Sequence, residues 1–275
     1  MSAERDDADG LPTMLCPDIR PVLEDWPYRP DEISVRRITG RDGREKIQLR
    51  VDLGLLQMET AGRPDSLRPH GFASLLHWHK DRLYKYERRS GTDIGFLLTP
   101  QECEALREEA LLYYQRYLSL FVLQDYRGVE RDTARNLEVA DLCRRYATET
   151  ADQLALEQYR PYVLMMNRRA AALRLLQQGK PSKAVEAIDD GIQMIQRFFE
   201  EYDQPAAAEE SREIGILRTL RRDIVAQALG GRLEDLQQQL LEAVQLERYE
   251  EAAQLRDQIN RLADRHQRKT LEDQQ

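Results

Sequence analysis

From Glu32 onward the chain alternates apolar and polar positions. Ile33 and Val35 stand against Ser34 and Arg36; beyond Gly40-Arg41-Asp42-Gly43 the alternation resumes with Ile47, Leu49, Val51 and Leu53 against Gln48, Arg50 and Asp52. A period of two puts one set on one face of a strand, and Asp-Gly tolerates the positive φ of a tight reversal, so the spacing predicts a β-hairpin. Leu55 to Glu59 can add a third strand, and Gly62 to Gly71, with Pro64 and Pro69, reads as a loop. Phe72 to Arg88 then carries Leu75, Leu76, His79, Leu83 and Tyr86 near helical spacing. This helix supports the hairpin, which would be marginal by itself.

The remainder reads as helix. Thr99-Pro100-Gln101-Glu102 is a start signal: Thr99 can cap, Pro100 suits the first helical position, and Glu102 can reach back to the Thr99 amide. That helix is expected to run to about Asp125, followed by helices at about Val129–Thr148, Ala151–Gln178, Pro181–Tyr202, Ala207–Leu229, Leu233–Glu247 and Tyr249–Arg265. The expected fold is therefore mainly α, with a small N-terminal α+β module built on a β-hairpin, an antiparallel, repeat-like helical body and a C-terminal helical hairpin. Its divisions are a Pro- and acid-rich, disordered lead (1–30), the module (31–98), the body (99–229), the hairpin (230–265) and a charged tail (266–275). Five of the eleven prolines lie in the lead, a composition that resists helix and sheet; Trp26 and Tyr28 could pin its end to a folded surface.

Two helical stretches carry more than periodicity. Arg168 to Arg197 places Ala171, Ala172 and Leu175 on one helix, turns at Gly179-Lys180-Pro181, and places Ala184, Ile188 and Gly191 on the next. Small residues at facing positions allow close antiparallel approach. The spacing resembles a tetratricopeptide hairpin, departing from it at Arg168 and Gln196; a single such repeat fits an ordinary helical hairpin equally well. In the second stretch, Leu233, Leu236, Leu240 and Ala243 or Val244 recur at spacings of three and four, and Ala252, Leu255, Ile259 and Leu262 do the same after a break at Glu247-Arg248-Tyr249. Each helix thus has a narrow apolar seam, and the brief connection makes the pair antiparallel. Asp257 and Arg261 are spaced for an i,i+4 ion pair.

Leu233-Glu234, Leu240, Ala243, Tyr249-Glu250-Glu251-Ala252-Ala253, Leu255-Arg256-Asp257-Gln258-Ile259 and Leu262 resemble the UVR motif, the UvrB/UvrC interaction hairpin. The resemblance implies a protein-binding hairpin, which joins UvrB to UvrC in excision repair and occurs in a protein-arginine-kinase activator and in Clp-type ATPases. It makes Tyr249, Ala253, Leu255 and Ile259 packing residues and Arg256 and Asp257 polar contacts. With Leu236, Leu240 and Leu262 these form the expected protein-binding set. The rest of the chain is unlike those larger proteins. Gly179-Lys180 precedes Pro181 instead of Ser or Thr, with no glycine five positions before Gly179, so there is no P-loop; nor are there zinc-binding cysteine pairs or nuclease signatures.

Composition adds the setting. The 275 residues include 49 acids and 41 bases, a net charge of -8, and the 33% charged fraction suits the solvated faces of long helices. No run approaches a membrane span, the first ten residues lack an apolar signal core, and Cys16, Cys103 and Cys143 contain no CxxC pair, which together lead us to expect a cytoplasmic protein. His77 and His79 lie on different sides of a helix and cannot share a metal; they read as packing residues beside Trp78, with His70 and His266 at the surface and the cysteines in the core. No nucleophile, metal set or phosphate loop emerges, so neither an enzyme nor a cofactor is expected.

Charge is unevenly distributed: Asp31 to Arg89 holds 13 bases and 9 acids, a net of +4. Arg36, Arg37, Arg41, Arg44, Lys46 and Arg50 crowd one hairpin, so a basic ribbon against phosphates is the alternative function. Cations that keep an edge strand from aggregating would look the same. The leading expectation is an adaptor whose UVR hairpin meets a UVR-type surface, on a UvrB/UvrC-like protein or a second copy, through the Leu/Ile/Ala seam.

Overall fold

The computed structural model describes residues 18–246 and 248–272. Its elements are α1 (Arg20–Leu23), β1 (Val35–Thr39), β2 (Glu45–Val51), β3 (Gly54–Glu59), α2 (Leu75–Ser90), α3 (Pro100–Val122), α4 (Tyr126–Tyr146), α5 (Thr150–Leu154), α6 (Arg160–Gln177), α7 (Pro181–Glu201), α8 (Pro205–Glu209), α9 (Arg212–Gln245) and α10 (Tyr249–Glu272). The described residues are mainly helical, with one small three-stranded sheet among them.

The sheet is antiparallel in the order β1-β2-β3. Thr39 pairs with Glu45 across the Gly40–Arg44 turn, where Gly43 takes the positive φ (74°) expected of it. Val51 pairs with Gly54, so Asp52-Leu53 forms the second turn. Leu53 was expected to continue the strand; it sits at the tip instead, 88% exposed. Ile47 and Met58 point at the helices and join the main core with Tyr117, Leu120 and Val129. The opposite face carries a polar row in register, with Arg36 donating to Gln48 (2.8 Å) and Gln48 to Gln57 (3.0 Å). The Trp26 ring stacks on the Arg36 guanidinium at one end of that row. The composition of the lead predicts no helix there, yet Pro21 stands in the first turn of the single-turn α1, where its missing N–H costs nothing. Residues 1–17, including Cys16, lie outside the described residues.

The α3 start is the expected capping box: the Glu102 amide donates to Thr99 Oγ1 (3.3 Å) and the Thr99 amide to Glu102 Oε2 (2.9 Å). Asp125, expected to end this helix, instead caps α4 by accepting from the Gly128 amide at 3.0 Å. The helix expected over 151–178 is two, because Pro161 cannot donate within a helix and starts a new one; a 3-10 turn at Glu157–Tyr159 separates α5 from α6. Between α6 and α7, Ala172, Ala184 and Ile188 are fully buried. A Cβ on Gly191 would meet Arg168 Cβ at 2.7 Å, so glycine is what permits this approach.

The largest departure is at α9. Two helices were expected, ending near Leu229 and starting near Leu233, a gap that holds Gly230 and Gly231. One 34-residue helix runs through both glycines. At about 1.5 Å per residue it spans roughly 50 Å. Its first half gives Ile214, Leu217 and Ile224 to the main core, and its second half gives Leu236 and Ala243 to a separate cluster with α10. Packing on both sides of the glycines outweighs their poor helix propensity, about 1 kcal/mol each relative to alanine.

Candidate protein-interaction site

The α9–α10 hairpin has its own small core. Leu236, Ala243, Ala252 and Leu255 are buried, with Leu240, Ile259 and Leu262 packed around them. The connection is closed by the Leu246 amide donating to Glu242 O (3.0 Å) and the Arg248 amide to Ala243 O (2.9 Å). Of the two seam positions left open at 243 and 244, Ala243 faces the partner helix and Val244 is 49% exposed.

The expected binding residues therefore divide into two groups. Leu236, Leu240, Leu255, Ile259 and Leu262 close the hairpin on itself and are spent on intramolecular packing. Tyr249, expected to pack, is 68% exposed, and Ala253 is exposed while its neighbour Ala252 is buried. A helix turns about 100° per residue, so only one of two adjacent alanines can face the seam. Arg256 and Asp257 are both exposed and lie 3.9 Å apart. The Asp257 contact in the structure is thus with its neighbour, where an i,i+4 pair with Arg261 was expected. Apolar surface concentrates near the turn, where Leu241 (64%), Val244 (49%) and Leu246 (61%) join Tyr249. The adjacent leucines 240 and 241 were the available signal, since a narrow seam accommodates only one of them.

The cations of the basic ribbon are largely engaged within the protein, three of the six (Arg37, Arg44 and Lys46) by carboxylates. Arg36 donates to Gln48 and to Val22 O, with its guanidinium 4.1 Å from the centre of the Trp26 ring. Arg37 pairs with Glu45 and with Asp125 (3.2 Å). Arg44 bonds Asp42 at 2.7 Å, and Lys46 is held between Asp42 and Glu59. The hydrogen bond from Lys46, then the Arg44 amide and side chain, hold the Asp42 carboxyl well below the usual range. Arg50 donates to the carbonyls of Trp26, Asp52 and Gly54. Of the six cations, Arg41 alone has no partner among the described residues.

The remaining described candidates are packing groups, except His77, which was expected to pack. His79 is 1% exposed and lies beside Trp78, His77 is exposed, and His70 stacks on Trp78 with ring centres 3.8 Å apart. The side chain of His266 lies outside the described residues. Cys103 and Cys143 are free and buried, and burial pushes the Cys143 thiol up to about 12. Among the described residues no group of three or more His, Cys, Asp or Glu could hold a metal, and no helix is long and apolar enough to cross a membrane.

Residues 230–265 match the family model described as the UvrB/uvrC motif. The match begins at the paired glycines inside α9 and ends within α10, so it takes in both helices and their connection. The chain thus carries a UVR motif, a hairpin found in UvrB/UvrC-type proteins and associated there with protein–protein interaction. No curated protein and no solved structure matches the chain.

Proposed function

We propose that this protein is a non-enzymatic, cytoplasmic adaptor that presents its UVR hairpin to a UVR-type surface, on a UvrB/UvrC-like repair protein or on a second copy of itself. The observation that carries this reading is the coincidence of the motif match with a hairpin that closes its own seam yet leaves Leu241, Val244 and Tyr249 exposed. Apolar anchors at the centre of a contact supply most of the energy of helix-on-helix recognition. Arg256 and Asp257, exposed on α10, are suited to fix register at its rim. The adaptor role places the docking surface on the outer face near the turn and assigns the seam to keeping the hairpin folded.

The test compares Leu241→Asp/Tyr249→Asp with the unmodified protein, using purified UvrB- and UvrC-type proteins as bait and sedimentation for self-association. Loss of whichever interaction the unmodified protein shows, with helical content retained, is the expected result. Absence of both interactions in the unmodified protein, or an interaction unchanged in the variant, overturns the reading. Phosphate binding through the 36–50 ribbon has weaker physical support, because five of its six cations are already engaged. A mobility shift that steepens with falling salt and vanishes in Arg41→Glu would restore it.

A further inference from the structure

A cavity of about 660 Å³ opens between α3 and α4 on one side and the α5–α6 break on the other. Its size falls within the roughly 300–1,000 Å³ of small-molecule sites. Leu111, Tyr114 and Tyr117 line it from α3, Leu137 and Ala140 from α4, and Tyr162 from α6. The tyrosine rings contact one another, Tyr114 standing edge-on to Tyr117 with centres 5.3 Å apart and Tyr162 6.5 Å from Tyr114.

Most hydrogen-bonding side chains around the cavity are engaged by the protein itself. Arg107 is paired with Asp152, and Arg160 with Glu157 and Asp141, so both guanidiniums are neutralised by the protein's own carboxylates. Asn136 donates to Ala110 O and accepts from Arg135, and Gln158 donates to Ala155 O. By contrast, the hydroxyls of Tyr114, Tyr117 and Tyr162 meet no hydrogen-bond partner among the described residues. Tyr117 is the telling case, because it is 1% exposed and lines the cavity. With no protein partner, the Tyr117 donor is open to a bound molecule that supplies an acceptor. Burial, reinforced by the two neighbouring tyrosines, holds the Tyr117 hydroxyl in its protonated form, as a donor.

We propose that this cavity binds an uncharged, largely apolar ring compound carrying a hydrogen-bond acceptor, which enters past Leu111 and Tyr159 and takes its hydrogen bond from Tyr117. Neutrality follows from the internal pairing of Arg107 and Arg160, which leaves no unmatched cation for an anion to meet. A small ligand follows from the volume, and flat rings from the aromatic walls. Leu111 (54% exposed) and Tyr159 (55%) mark the mouth. The proposal is independent of the hairpin and its partners.

The neutral naphthyl ketone prodan is the probe, titrated into the full chain and followed by emission, with anionic anilinonaphthalene sulfonate in parallel. Saturable one-to-one prodan binding with a blue shift is expected. Tyr117→Phe keeps the ring and removes the donor, weakening binding about fivefold, the loss typical of one neutral hydrogen bond. Ala140→Phe fills the cavity and abolishes binding; should that variant fail to fold, Leu111→Glu at the exposed mouth serves instead, weakening prodan at least about tenfold with helical content unchanged. No saturable binding, or binding unaltered by both Leu111→Glu and Tyr117→Phe, overturns the proposal. Equal or tighter binding of the sulfonate, lost in the same variants, overturns its assignment to an uncharged ligand.

Discussion

The Arg116 guanidinium and the Asp132 carboxylate meet as a fork, Nε to Oδ2 at 2.6 Å and Nη2 to Oδ1 at 2.8 Å, with neither side chain exposed to solvent. A third bond from Arg116 reaches Glu59 O at the end of β3 (3.0 Å), so one buried pair ties α3 and α4 to the sheet. Two ions taken out of water gain little net stability as a pair, but either left alone is costly. Asp132→Ala should therefore destabilise the protein by about 3–5 kcal/mol in urea unfolding. Arg116→Met combined with Asp132→Leu should recover the larger part of that loss, since the double change leaves no buried orphaned charge; Arg131, which also bonds Asp132 (2.8 Å), is 45% exposed and stays solvated.

The glycines allow an opposed pair of measurements. Gly191→Ala drives a methyl into Arg168 Cβ (2.7 Å) and against Leu217 (3.1 Å), and overpacking of this kind costs about 1–3 kcal/mol. Around Gly230 and Gly231 a Cβ would meet nothing within 4 Å. Gly230→Ala and Gly231→Ala should each raise stability of the α9–α10 segment by up to about 1 kcal/mol, through a less disordered unfolded chain. Thermal melts of the three variants check both signs.

Leu255 anchors a core of few residues, so its loss should be felt locally. Leu255→Ala is expected to cost about 2–3 kcal/mol, the lower part of the usual range for a buried leucine. Because the hairpin cluster is separate from the main core, hydrogen exchange should accelerate along α10 and the end of α9 while α3 and α6 keep their protection. Uniform acceleration across the protein would show the two cores to be a single cooperative unit.

Burial lowers the pKa of His79 to about 4; Glu102 opposes the shift, and Arg82 and His70 add to it. The unfolded chain takes up this proton near pH 6.5, so between about pH 6.5 and 4 it binds a proton that the native state excludes. Stability should fall as pH falls through that window, by up to about 3 kcal/mol from this one group. His79→Gln removes the titration, and urea midpoints at pH 7 and pH 5 should lie closer together in the variant than in the unmodified protein.

The features legible in the chain were those whose causes lie within a few residues. The alternation around Ile47 and Leu49, the Thr99–Glu102 capping box and the three-and-four spacing of Leu236, Leu240 and Leu255 each depend on neighbours one turn or one strand away. The UVR hairpin belongs to this class, because its motif is contiguous. Pro161 was equally local, and the break it imposes was open to the same reasoning.

Other features depended on partners far along the chain. Six clustered cations define a basic ribbon by sequence, yet Arg37 finds Asp125, 88 positions away, and Lys46 finds Glu59. The Gly230-Gly231 pair looks like a break until packing at both ends of α9 keeps the helix continuous. The cavity exists only because α3, α4 and the α5–α6 break surround it. Thus the sequence by itself determined most of the elements, the α3 cap and the motif, which follow from short-range backbone and side-chain preferences. Tertiary structure alone decided which charges remain free, which leucines remain exposed and where Tyr117 lacks a partner. Those outcomes are set by burial and pairing between residues that only the fold brings together.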